Sequence, residues 1–210
     1  MSYPVTFESD YLERRSRLTT FFRLILVIPL VIVAYVYGII AFFAIVVAWF
    51  AILITGRYPP ALYDFVAGFT RFVTRVTAYA ALLCDPYPPF WGHDDPSYPI
   101  RMHFHELERY SRPKTLLRII LAIPILILRY VMHILLEISA LFAWFIILVL
   151  GQLPRGMYDM MVLANSYIAR SDAYIYLLTE TYPPFQDEQT RTAGRPPATP
   201  PPSAEQPLPG

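Results

Sequence analysis

The sequence predicts an all-α integral membrane protein made of two tandem repeats. Each repeat is a short strand, a long hydrophobic run and an interfacial amphipathic helix. Three observations carry this prediction. Of 210 residues, 56% are apolar and only 16% charged, whereas a soluble domain carries about a quarter charged residues. Leu24 to Gly56 is a run of 33 residues without a charge, against the roughly 20 needed to cross hydrocarbon as a helix. Displaced by 95 residues, the chain matches itself without a gap at 35 of 88 positions, a repeat signal that organises everything else.

The matches run through the whole unit. Tyr3-Pro4 falls on Tyr98-Pro99, Leu12-Glu13-Arg14 on Leu107-Glu108-Arg109, and Ile28-Pro29 on Ile123-Pro124. Ala48-Trp49-Phe50 falls on Ala143-Trp144-Phe145, Tyr63-Asp64 on Tyr158-Asp159, and Tyr87-Pro88-Pro89-Phe90 on Tyr182-Pro183-Pro184-Phe185. The units are therefore 1–90 and 98–185, with 91–97 as linker.

Within each unit the elements follow in order. Val5 and Phe7 alternate with Thr6 and Glu8, as Ile100, Met102 and Phe104 alternate with Arg101, His103 and His105. Period two after Tyr-Pro predicts a brief strand and a small ribbon between the units. A basic segment, LERRSR or LERYSRPK, then leads into the hydrophobic run, 24–56 or 119–151, which ends at Gly-x-x-Pro. An amphipathic helix, 61–84 or 156–179, closes at the YPPF turn. Residues 186–210 are Pro-rich with almost no large apolar group, so they are expected to be a disordered aqueous tail.

A run of this length would be about 50 Å as a straight helix, against about 30 Å of hydrocarbon. Tilt alone does not absorb that mismatch. Two solutions remain: a long helix kinked at Pro29, or a hairpin of two short arms turning near Gly38. Arg129, His133 and Glu137 near the middle of the second run favour the hairpin, whose tip would carry them to headgroups or water. Basic residues before, between and after the runs also favour an even number of crossings, with all of them cytoplasmic. The sequence thus points to a multi-pass protein of a cytoplasmic membrane with both termini inside.

Several function classes are excluded or left without support. A net charge of +1 offers no basic field for nucleic acid. Cys84 is the only cysteine, which rules out an internal disulfide framework and any CxxC site. The N-terminal segment mixes acids with Arg14, Arg15, Arg17 and Arg23 before a run too long for a signal peptide. No P-loop, GxGxxG, GxSxG or HExxH pattern is present.

The candidate site residues are few. Asp64, Arg71 and Arg75 share one helix face, as do Asp159, Ser166 and Arg170. Arg71, Arg75 and Arg170 could meet lipid phosphates, although the wet face of an interfacial helix accounts for them as well and is preferred. Arg129, His133 and Glu137 form the sharpest cluster, because ionisable groups at membrane depth suggest relays or ion paths. The first unit has Ala34, Gly38 and Phe42 there, so a structural stripe is the favoured account. His93, Asp94, Asp95, His103, His105 and Glu106 have metal-ligand chemistry without metal-ligand spacing, so no metal or other cofactor is expected. Tyr79, Tyr174, Trp49, Trp144 and the YPPF aromatics suit an interfacial belt.

The order Arg-x-x-x-x-Ile-Pro, Ala-Trp-Phe-x-Ile-Leu, Gly-x-x-Pro-x-x-x-Tyr-Asp, Arg-x-x-Ala-Tyr-x-x-Leu-Leu, Tyr-Pro-Pro-Phe occupies Arg23–Pro29, Ala48–Leu53, Gly56–Asp64, Arg75–Leu83 and Tyr87–Phe90, and recurs 95 residues later. It resembles the bacterial membrane family catalogued as domain of unknown function 4389. The resemblance implies a bacterial cytoplasmic (inner) membrane location and assigns no catalytic residue. The second copy departs at Gln152-Leu153-Pro154-Arg155 and in its intramembrane ionisable groups. The functional expectation is a non-enzymatic accessory or scaffold subunit of a membrane assembly. Its expected partners are the lipid bilayer and a membrane protein or a second copy of the chain. The alternative is a small transporter or channel component using Arg129, His133 and Glu137.

Overall fold

The computed structural model describes residues 3–105 and 107–185. The expected disordered tail at 186–210, and Glu106, lie outside the described residues.

The first hydrophobic run lies within one unbroken helix, α1 (Arg17–Thr55). Ser16 caps its start by accepting from the Thr19 N–H, and Gly56 at φ +74 closes its end, a left-handed position that glycine occupies without a Cβ penalty. The second run follows a five-residue helix, α3 (Arg112–Leu116), and forms α4 (Arg118–Leu150), closed by Gly151 at φ +72. The favoured hairpin is therefore corrected, and the long-helix alternative holds. Gly38, the expected turn, sits in mid-helix, where even a Cβ would make only ordinary contact with the Phe69 ring at 3.5 Å. A continuous helix satisfies the backbone of an apolar run internally, whereas a hairpin tip would strand several N–H and C=O groups. One mid-helix glycine costs only about 1 kcal/mol by comparison.

The shorter helices α2 (Pro60–Ala80) and α5 (Arg155–Ile175) end four residues before the expected limits. The cause is a left-handed residue at Leu82 (φ 64) and its repeat counterpart Leu177 (φ 68). In each case the following leucine N–H turns back to the helix, Leu83 to the Ala78 carbonyl and Leu178 to the Ala173 carbonyl, as in a glycine-terminated helix. Both leucines are 2% exposed, so burial of the side chain offsets an unfavourable backbone.

The predicted ribbon forms, so the fold is helical with a two-stranded sheet rather than purely α. Strand β1 (Val5–Ser9) pairs antiparallel with β2 (Ile100–Phe104), Val5 opposite Phe104 and Phe7 opposite Met102. Phe7 and Met102 are repeat equivalents, 95 residues apart, so a pseudo-two-fold axis passes between them. The same symmetry governs the long helices. Trp49 donates its indole N–H to the Thr115 carbonyl, and Trp144 donates to that of Thr20, each at 3.0 Å. Arg17 donates to the Val149 carbonyl and Arg112 to that of Ile54. Arg15 N–H reaches the Gly151 carbonyl and Tyr110 N–H that of Gly56. Helices α1 and α4 are therefore antiparallel neighbours, each closing the ends of the other.

Three layers result. The long helices form the outer layer. Helices α2 and α5 form the middle one, α2 packing on α1 and α5 on α4. The ribbon and the segments after α2 and α5 cover the far side. This cover is close: a Cβ on Gly92 would lie 1.7 Å from the Gly68 carbonyl oxygen of α2. The expectation that α2 and α5 are amphipathic helices with a wet outer face is corrected, because most of both helices is buried between the layers.

Only 17% and 22% of the most apolar windows of α1 and α4 are buried, unlike the core helices of a soluble domain. Large exposed side chains such as Leu24, Tyr35, Phe43, Ile119, Ile127 and Val149 make the surface of the two long helices largely apolar. The ribbon core is the opposite case: Phe7 and Met102 are 1% and 2% exposed. Replacing Phe7 with Ala should cost about 3–5 kcal/mol, read from denaturation of the detergent-solubilised chain, with the helical signal lost in one transition.

Candidate functional site

The charged side chains singled out from the sequence lead mostly inward. Arg75 is 1% exposed and Arg170 0%. From the middle of α2, Arg75 donates to the carbonyls of Ile100 and His93, and Arg71 donates to that of Met102. Arg170 donates to the carbonyl and hydroxyl of Ser166, one helical turn earlier. These arginines fasten α2 to the ribbon and brace α5, so Arg75 and Arg170 are out of reach of a lipid phosphate. Neither the headgroup site nor the wet face fits them.

Two further arginines do comparable work at the helix ends. Arg23 donates to the carbonyls of Tyr79 and Cys84, pairs with Asp85 at 2.9 Å, and lies over the Tyr79 ring. Its repeat equivalent Arg118 donates to the carbonyls of Tyr174 and Thr179 and lies over the Tyr174 ring. A guanidinium presents five donors in a fixed fork, so one side chain can collect the carbonyls that a helix end leaves open. In the sequence Arg23 and Arg118 simply precede the two apolar runs; that each turns back into its own unit is not legible from charge.

Arg129, His133 and Glu137 occupy successive turns of α4, with His133 within electrostatic reach of the other two, but they meet different partners. Arg129 reaches across to Asp172 of α5, with contacts of 2.7 and 3.3 Å. Asp172 is 4% exposed. Sequence reading missed it, although a signal existed: the first unit has Ala34 and Thr77 at the two equivalent positions, so both charges of the pair are confined to the second unit. Burial pushes the Asp172 carboxyl up from the usual range, and the Arg129 charge opposes that shift.

His133 and Glu137 instead line a cleft of about 550 Å³ with Arg23 and Val27 of α1, Val76 of α2 and Trp144 of α4. Its symmetry mate, about 390 Å³, is lined by Phe42, Trp49, Arg118 and Leu177 among others. The polar residues therefore distinguish one member of a symmetric pair of apolar clefts.

The histidine and aspartate group of the ribbon is dispersed. His103 pairs with Asp94 at 3.1 Å, His105 meets the Pro4 carbonyl, and Asp95 accepts from the Ser97 N–H and hydroxyl. Those Ser97 hydrogen bonds hold the Asp95 carboxyl below its ordinary value. No set of three metal-ligating side chains comes together among the described residues. Cys84 is buried against the Tyr98 hydroxyl, and burial pushes its thiol up, which makes it a poor nucleophile.

Two measurements check this geometry. Arg129→Ala should cost about 3 kcal/mol, the low end for a broken buried pair because Arg129 is 28% exposed. Adding Asp172→Thr, which restores the first unit's uncharged residues, should recover most of that loss. A maleimide should leave Cys84 unlabelled in the native protein and label it after denaturation.

No curated protein and no solved structure matches the chain. One family does, over residues 17–92 and again over 112–186. These segments start at equivalent positions of the two repeats and take in both long helices, both shorter helices and both arginine-closed turns. The chain belongs to the family described as domain of unknown function DUF4389 and carries two copies of that domain in tandem.

Proposed function

We propose that the protein is a non-enzymatic accessory or scaffold subunit of a membrane assembly, held in the bacterial cytoplasmic membrane by α1 and α4. One observation carries this reading: the contrast between the outer helix layer and the rest of the fold. The outer layer exposes a broad apolar surface, far more than a soluble monomer leaves open. Beneath it, Arg23, Arg71, Arg75, Arg118 and Arg129 donate to the protein's own carbonyls and carboxylates. Charge used in this way stabilises a rigid platform.

The second reading, a transporter or channel component, has the cleft beside His133 and Glu137 in its favour. Against it stands the Arg129–Asp172 pair, which holds the third member of the stripe in a closed ion pair.

The chain should stay with the membrane fraction through an alkaline carbonate wash and leave it only with detergent. Purified in mild detergent, it should carry a stoichiometric membrane-protein partner; a clean monomer would count against the scaffold. Glu137→Ala and His133→Ala should leave proton and ion flux in liposomes unchanged. Loss of a measurable flux in either variant would move the assignment to transport.

A further inference from the structure

We infer that α1 and α4 lie flat in one leaflet of an anionic phospholipid bilayer, with the ribbon facing water, and that neither helix crosses the membrane. This rests on the membrane attachment proposed above and replaces the multi-pass arrangement expected from the sequence.

The pseudo-two-fold axis sets where the ribbon stands over the long helices. It passes between Phe7 and Met102 in the ribbon. In the long helices it passes near Tyr35 and Tyr130, because the reciprocal contacts pair Arg17 with the counterpart of Ile54, and Thr20 with the counterpart of Trp49. The ribbon therefore stands over the mid-length of α1 and α4, across the middle layer. Contacts along α2 agree. Tyr37 donates to the Phe65 carbonyl, Arg23 to that of Tyr79, and Arg71 between them to that of Met102 in the ribbon.

If α1 and α4 crossed a bilayer side by side, this axis would lie in the membrane midplane. The ribbon would lie there too, with its exposed carboxylates. Asp10, paired with Arg101, is still 50% exposed, and Asp94, paired with His103, 46%. Exposed Asp64, one residue from Phe65, and Asp159, its repeat equivalent, would also face hydrocarbon near the midplane. Each such group costs several kcal/mol at that depth. Length argues the same way: α1 and α4 are about 58 and 50 Å long, against about 30 Å of hydrocarbon.

Laid flat, the outer layer carries a single exposed carboxylate, Glu137 in the cleft beside α4, and the four others stand clear of it. The apolar outer layer is about one helix diameter thick, comparable to the roughly 5–10 Å that an in-plane helix buries. The ribbon and its carboxylates stand two layers away, in water. The ends of the helix pair carry exposed cations, Arg14 and Arg17 at one and Arg57, Arg109, Arg112 and Lys114 at the other. A crossing pair would send one of these basic ends outside, against the positive-inside rule. A flat pair sets both at the headgroups of one leaflet, where anionic lipid attracts them. At the second end, a recess of about 690 Å³ lined by Arg57, Arg109 and Arg112 offers the phosphate chemistry this needs.

The test uses the full-length chain in native membranes, with Cys84 left in place as an internal unlabelled control. Single reporters Arg14→Cys and Arg57→Cys mark opposite ends of the helix pair. An impermeant maleimide should label both from the cytoplasmic face, in inverted vesicles and not in right-side-out ones. Labelling from opposite faces overturns the flat seat while leaving membrane attachment intact. Loss of the chain in carbonate overturns both proposals. A depth profile gives an independent reading that labelling efficiency does not affect. Fluorophores at Phe21→Cys, Ile28→Cys, Ile39→Cys and Phe50→Cys, all on one face of α1, should be quenched equally by a given nitroxide lipid in phosphatidylglycerol vesicles. Quenching by the deepest nitroxide that peaks at Ile39→Cys and falls toward both ends would establish crossing and overturn the proposal.

Discussion

Each repeat of this protein leaves backbone groups that only the other repeat can satisfy, and the rest of the structure follows from that dependence. A single strand has no partner within its own unit, and an isolated edge is a liability. The antiparallel ribbon of Val5–Ser9 with Ile100–Phe104 removes the problem by pairing one unit's strand with its duplicate. The same exchange closes the long helices, whose last carbonyls receive Arg17 and Arg112 from the opposite unit. Duplication has in effect fused a two-fold dimer into one chain, an isologous interface in which each contact occurs twice. The Trp49–Thr115 and Trp144–Thr20 bonds, identical in length, show how closely the two halves keep that symmetry.

Arginine carries much of the internal connection. Burying a guanidinium is costly unless its donors are met, and here backbone carbonyls meet many of them. Arg23 and Arg118 gather the carbonyls at the ends of α2 and α5, while Arg71 and Arg75 tie α2 to the ribbon. These bonds cross from one layer to the next, so α2 is clamped on both sides. The one large break in symmetry, the Arg129–Asp172 pair, joins α4 to α5 in the second unit alone. It marks one of two otherwise equivalent clefts with His133 and Glu137.

Some elements were legible because their cause is local. Gly56 and Gly151 end the long helices where only glycine accepts a left-handed backbone freely, and Tyr-Pro followed by alternation announced each strand. Others depended on what lies opposite. The polar stripe on α2 looked like a wet surface, because periodicity reveals that a helix has a polar face but not what covers it. In the fold that face meets carbonyls of the ribbon. Asp172 escaped notice as the partner of Arg129 because the two are 43 residues apart, a separation that no helical spacing encodes. The hairpin reading placed Arg129, His133 and Glu137 at a membrane-crossing tip. They lie instead along an unbroken helix, where Arg129 finds a carboxylate on α5, half-buried His133 lines a cleft, and exposed Glu137 lines the same cleft.

By itself, the sequence determined the duplication, the two long apolar runs, the small ribbon and the family. All of these follow from composition, period or self-similarity along the chain. The tertiary structure decided how the two copies face each other, which charges are internal braces, and where the ribbon stands relative to the apolar layer. Those properties come from contacts between segments distant in sequence. An antiparallel pair with its symmetry axis through the ribbon and a pair of independent hairpins can carry the same hydropathy pattern. Only the reciprocal hydrogen bonds between the units tell them apart.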